Sequence, residues 1–143
     1  MPQPTTVIDC MRKRPLTIRR EANLVEAIET LVDNRLTGVT IVDEKGHAVG
    51  VLSELDCIRA VLTTIYNDGD PDLALVHEVM TADINSCGPN DNIVEVAQDM
   101  LDTRQRRRPV IKGGKLVGQV SSSNILWALM EHSRRRVSRK RAT

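Results

Sequence analysis

Gly50-Val51-Leu52-Ser53-Glu54-Leu55-Asp56 returns later in the chain as Gly118-Gln119-Val120-Ser121-Ser122-Ser123-Asn124. Each stretch reads as a strand end running into a helix, with Ser as N-cap and a side-chain acceptor three residues on. Upstream of each lies the other half of a hairpin. Val39-Thr40-Ile41-Val42 precedes a turn at Asp43-Glu44-Lys45-Gly46, and Pro109-Val110-Ile111 precedes one at Lys112-Gly113-Gly114.

Further upstream, Leu24, Ala27, Ile28, Leu31 and Val32 fall at helical spacing, as do Ile93, Val96, Ala97, Met100 and Leu101. Asn23 and Asn92 stand at the N-cap of these helices, each with a Glu three residues later. A short segment opens each copy, Leu16-Thr17-Ile18 and then Ile84-Asn85-Ser86-Cys87. Before those, Val7-Ile8-Asp9-Cys10-Met11 is echoed by Val76-His77-Glu78-Val79-Met80. The register of the repeat holds along the chain except for a one-residue deletion before the second hairpin turn. After Ser53 and Ser121 a closing helix carries an apolar face: Leu55, Ile58, Leu62 and Ile65 in one copy, Ile125, Leu126, Leu129 and Met130 in the other.

The chain is therefore a unit of order β-α-β-β-α written twice, an α/β (α+β) fold. The expected division is a first repeat at 6–66, a turn-rich acidic linker at 67–75, a second repeat at 76–132, and a basic tail at 133–143. A three-stranded unit this small cannot bury both sheet faces alone. The two repeats are expected to pack sheet to sheet in pseudo-twofold symmetry.

Composition narrows the function. Among 143 residues there is one Trp, one Tyr and no Phe, so the core is aliphatic and the aromatic platforms typical of single-strand nucleic-acid binders are missing. Cys10, Cys57 and Cys87 are too far apart for a CxxC metal or redox motif, and reduced thiols in a cytoplasmic protein are expected. His47, His77 and His132 show no metal-ligand spacing, so no metal is expected. No nucleophile sits beside a base, so no catalytic residue is assigned. No apolar run approaches a membrane span, and the N-terminus carries no signal-peptide pattern. The tail holds Arg134, Arg135, Arg136, Arg139, Lys140 and Arg141 and no acid. Without these six, 14 of the 20 basic residues remain against 19 acidic ones, leaving an acidic body. A terminal run of this kind is expected to be solvated and disordered.

This grammar resembles the cystathionine β-synthase (CBS) domain, which occurs as tandem pairs called Bateman modules. The doubled stretch of glycine, two further residues, Ser, two variable residues and Asp or Asn carries the resemblance. It implies regulation rather than catalysis, and clefts between paired copies that bind AMP, ADP, ATP or S-adenosylmethionine. On that reading Asp56 accepts hydrogen bonds from both ribose hydroxyls, while Asn124, with an acceptor on one side only, holds ribose less firmly. Ser53 and Ser121, at helix N-termini, receive phosphate; the ordinary N-cap role competes with that reading. The glycine before each Ser is not explained by capping and favours the ligand. Thr17, Ile18, Ser86 and Cys87 are placed by the family pattern around the adenine edge, with Thr40 and Pro109 at the second strands. Of the arginines leading into Pro109, Arg107 and Arg108 are candidates for neutralising a polyphosphate.

Three functions stay open: a nucleotide sensor acting on a regulated protein, a nucleic-acid module using the basic tail and the Arg104–Arg108 cluster, and a purely structural dimerisation module. A homodimer is expected on each.

Overall fold

The computed structural model describes residues 5–142. In chain order, a 3-10 turn at Val7–Asp9 leads to β1 (Arg12–Lys13), β2 (Thr17–Arg19), α1 (Leu24–Asp33), β3 (Gly38–Val42), β4 (Ala48–Ser53) and α2 (Glu54–Tyr66). After a second 3-10 turn at Pro71–Leu73 come α3 (Val76–Val79), α4 (Ile93–Thr103), β5 (Arg107–Lys112), β6 (Lys115–Ser121) and α5 (Ser122–Ala142). The result is a mixed α/β chain with two small sheets, ordered β2-β3-β4 and β1-β6-β5.

The caps form where the repeat places them. The Asn23 side chain accepts from Val25 N–H at 2.8 Å, and that of Asn92 from Val94 N–H at 2.8 Å. Each N-cap thus satisfies a helix donor that has no partner within the helix. The expected opening strand of the second copy is not one: Cys87 makes a single parallel bridge to Val110.

The compact units cut across the repeat. One unit holds Leu16–Ile84, and the other joins the described residues up to Pro15 to those from Asn85 onward. Each opening turn is built into the unit of the opposite copy. Val76 N–H donates to Ala22 O at 2.9 Å and Leu24 N–H to Ala74 O at 2.9 Å. At the equivalent places Val7 N–H donates to Asp91 O at 3.0 Å and Ile93 N–H to Thr5 O at 3.0 Å. Val76 is fully buried with Leu24, Leu31, Ile41 and Leu52, while Val7 is fully buried with Val96, Met100, Val110 and Val120. Apolar burial and paired backbone donors together make each exchange favourable.

Two expectations about the closing helices change. The apolar face of α2 points outward: Leu55, Ile58, Leu62 and Ile65 are all exposed, and the core side is the small Cys57 with Ala60. On α5, Ile125 and Ala128 are buried, whereas Leu126, Trp127 and Met130 are exposed. The tail, expected to be disordered, continues α5 through Ala142. Arg, Lys and Ala are good helix formers, and no Gly or Pro interrupts residues 122–142.

Candidate functional site

In unit 16–84 the strand register gathers the candidate residues at one end of the sheet. Thr17 at the start of β2 pairs with Thr40 near the start of β3, and Gly38 opposes Ser53 at the end of β4. The chain then turns directly into α2, because Ser53 and Asp56 cap each other. Asp56 N–H donates to Ser53 Oγ at 3.1 Å, and Ser53 N–H donates to Asp56 Oδ2 at 3.0 Å. The Thr81 hydroxyl donates to the same Oδ2 at 3.4 Å. Among the described residues, Oδ1 has only the Arg59 guanidinium nearby, at 3.7 Å. One carboxylate oxygen is thus fixed by the fold, while the other keeps its acceptor capacity beside a solvent-facing cation.

The second unit repeats this plan with an amide. Asn124 N–H donates to Ser121 Oγ at 3.1 Å, and Ser121 N–H donates to Asn124 Oδ1 at 3.0 Å. The only carbonyl oxygen of Asn124 is therefore already engaged, leaving its amide N–H groups as donors. Arg107 pairs with Ser121 across β5–β6, and Pro109 with Gln119. Cys87 joins this end of the sheet through its N–H to Pro109 O, at 3.1 Å.

Several side chains at the expected positions face away from solvent. Ile18 and Cys87 lie in the two aliphatic cores, and Thr40 and Pro109 are buried. Burial pushes the Cys87 thiol up to about 11, against the pull of the neighbouring Arg108 charge. Thr17 and Ser86 are exposed, and Arg107 is half-buried. Arg108 is only 3% exposed. Its Nη1 lies 2.6 Å from Asp99 Oδ2, and its Nε and Nη2 donate to Gln105 Oε1 at 3.0 and 2.6 Å. In the first copy the equivalents of Arg108 and Gln105 are Val39 and Leu36, both packed in the core. A buried ion pair has replaced an apolar contact, and the arginine's donors are satisfied internally.

The glycines before the serines also have a packing cause. A Cβ on Gly50 would meet Met80, and one on Gly118 would meet Met11. The inference from glycine to ligand therefore does not hold. Thr81 and Arg59 were not singled out from sequence. Arg59 lies one helical turn after Asp56, a readable spacing, whereas Thr81 reaches Asp56 only through the exchanged segment after α3.

Residues 7–63 and 76–131 each match the family model of the CBS domain. The chain is 28% identical over 123 residues to the uncharacterized protein MJ1225 of Methanocaldococcus jannaschii, a match covering 86% of this chain and 42% of that one. It spans 56% of the next relative, CBSX1 of Arabidopsis thaliana, and so about half or less of these proteins. The structure of CBSX2 in complex with AMP superposes with a TM-score of 0.77 at 26% identity, covering 88% of this chain and 96% of that one. The CBS domain pair of MJ0100, in complex with 5-methylthioadenosine and S-adenosyl-L-methionine, superposes with a TM-score of 0.72 at 25% identity, covering 87% and 95%.

Proposed function

This chain belongs to the CBS domain family as a tandem pair, and we propose that it is a regulatory module binding an adenosine nucleotide, AMP, ADP or ATP, or S-adenosylmethionine. One observation carries the reading. The Ser53–Asp56 box holds a carboxylate at the sheet end with Oδ2 fixed and Oδ1 still able to accept. A ribose 2′,3′-diol matches such an acceptor with charge-assisted hydrogen bonds. Ser53, Thr17 and the N-terminal turn of α2 share that end of the sheet and would receive base and phosphate. The neighbours crystallised with AMP or with S-adenosyl-L-methionine support an adenosine ligand as the class.

The second site is weaker in this reading, because Asn124 has its carbonyl oxygen engaged in the cap. The ligand acts by shifting an equilibrium between states of the module for which its affinities differ, and a regulated protein or the oligomer reads that shift. The exposed stripes of α2 and α5 are proposed to meet a second copy. No helix among the described residues is long and apolar enough to cross a membrane, and a cytoplasmic setting is proposed.

A thermal-shift screen with AMP, ADP, ATP and S-adenosylmethionine tests the reading. A ligand at a hundred times its Kd adds about 2.7 kcal/mol of stability and raises Tm visibly. No movement with any of the four would refute it.

A further inference from the structure

The exposed stripe of each closing helix runs into a charge cluster of its own sign. On α2, Leu55, Ile58, Leu62, Ile65 and Tyr66 are exposed, the last at 82%. Immediately beyond its C-terminal end come Asp68, Asp70 and Asp72, with no basic residue from 67 to 76. Asp70 caps the following turn, while the carboxylates of Asp68 and Asp72 stand on exposed residues. On α5, Leu126, Trp127, Met130 and Val137 are exposed. Its C-terminal end is the basic run, where Arg134, Arg136, Arg139 and Arg141 are exposed. The helix is 21 residues long against 13 for α2. The basic end is thus an overhang of about 12 Å that the first copy lacks.

We propose that α5 of one copy docks on α2 of a second copy, with the basic overhang seated against the acidic turn at Asp68–Asp72. This rests on the homodimer reading above and specifies how the pair is made. Three pairings of the stripes are available to two copies. Two α2 helices with their C-terminal ends together would set acid against acid, and two α5 helices would set arginine against arginine. Pairing α2 with α5 alone matches apolar to apolar and charge to countercharge. A symmetric dimer makes this contact twice. Like-charge juxtaposition disfavours the alternatives, so the charges select the pairing while the apolar stripes supply most of the adhesion. A nucleic acid or an anionic surface would match the arginines, but neither needs the apolar residues on the same helix or the acidic turn.

Sedimentation equilibrium on the full chain, with two charge-reversed variants, tests this. The first is Asp68→Lys with Asp72→Lys, and the second is Arg136→Glu with Arg139→Glu and Arg141→Glu. All the changes lie on exposed positions, and circular dichroism confirms that each variant folds. The wild type is expected to dimerise at micromolar concentration, and each variant alone to dissociate about tenfold more readily or worse, as like charges across an interface require. An equimolar mixture of the two variants should regain wild-type tightness as a heterodimer. Restoration only on mixing distinguishes contact between copies from contact within one.

If the wild type dimerises and both variants dimerise equally well, or the mixture stays weak, the pairing is overturned while the dimer stands. If the arginine variant loses binding to a DNA duplex and keeps its dimer unchanged, the run serves nucleic acid instead and the pairing is equally overturned. A monomeric wild type removes the dimer reading and this inference with it, without touching the nucleotide reading, whose readout is ligand-induced stabilisation.

Discussion

Met80 lies across Gly50: a Cβ there would fall 2.5 Å from the Met80 Sδ and 3.0 Å from the Thr81 carbonyl oxygen. The same relationship joins Met11 to Gly118, at 2.6 Å from Sδ and 3.0 Å from the Arg12 carbonyl oxygen. The methionine can swing aside, but the backbone carbonyl cannot. Gly50→Ala and Gly118→Ala should each destabilise by about 1–3 kcal/mol, the usual range for overpacking. In urea titrations Met80→Ala should relieve only part of the Gly50→Ala loss, because the Thr81 contact remains. Full tolerance of both alanines would show that the exchanged segments are not held closely.

The pair Arg108–Asp99 gives a second prediction. Asp99 is more than half exposed, so solvent screens its side of the bridge. Arg108 is buried, and Asp99→Ala should cost about 1–3 kcal/mol by leaving it partly uncompensated. Replacing Arg108, Asp99 and Gln105 by the Val, Thr and Leu of the first copy should restore stability to within about 1.5 kcal/mol of wild type. If Asp99→Ala melts like the wild type, the ion pair is not structural and the guanidinium is available for other work.

Arg35 and Arg104 follow equivalent helices with φ of 53° and 55°, in the left-handed region. That conformation is strained for a residue with a Cβ and free for glycine. Arg35→Gly and Arg104→Gly should each stabilise by about 0.5–1 kcal/mol, read as a higher Tm. A loss of stability at either site would mean that the side chain makes a contact outweighing the backbone strain.

Burial raises the Cys87 thiol from 9.0 to about 11. Below pH 9 both folded and unfolded chains keep the proton, and the group is neutral with respect to folding. Between about 9 and 11 the unfolded chain releases it first, so stability should fall as pH rises through that window. The Cys87→Val variant should fall less steeply. At pH 8 the folded wild type should also react slowly with iodoacetamide at this residue. Rapid labelling of Cys87 in the native protein would contradict its burial.

Much of the fold was legible because the repeat keeps its register. The Asn caps, the hairpins and the Ser-x-x-Asp and Ser-x-x-Asn boxes are local, and all formed where the residue types require. What failed to read was non-local. Nothing near Val7 says that it packs with Val110, since the equivalent turn at Val76 carries the same apolar pattern. Helical periodicity found the α2 stripe but not its direction, because the opposite face is also weakly apolar, with Cys57 and Ala60. Gly50 reads as a ligand signature until Met80 is placed above it. Asp56 was legible as a site from the motif, but its tie to Thr81 was not. Arg108 sits at a position that is apolar in the first copy, and only the placement of Asp99 on α4 accounts for its burial.

The two capping boxes also supply the most direct test of the ligand site. Asn124 closes its box with an amide, so Asp56→Asn should keep the cap, and the unliganded Tm should stay within about 2 °C. The substitution removes only the carboxylate offered to ribose. Isothermal titration with AMP should therefore show wild-type binding that weakens about tenfold or more in Asp56→Asn, as loss of a charge-assisted pair of hydrogen bonds requires. AMP binding of equal strength in the two proteins, with both folded, would contradict the assignment of Asp56 as the ribose acceptor.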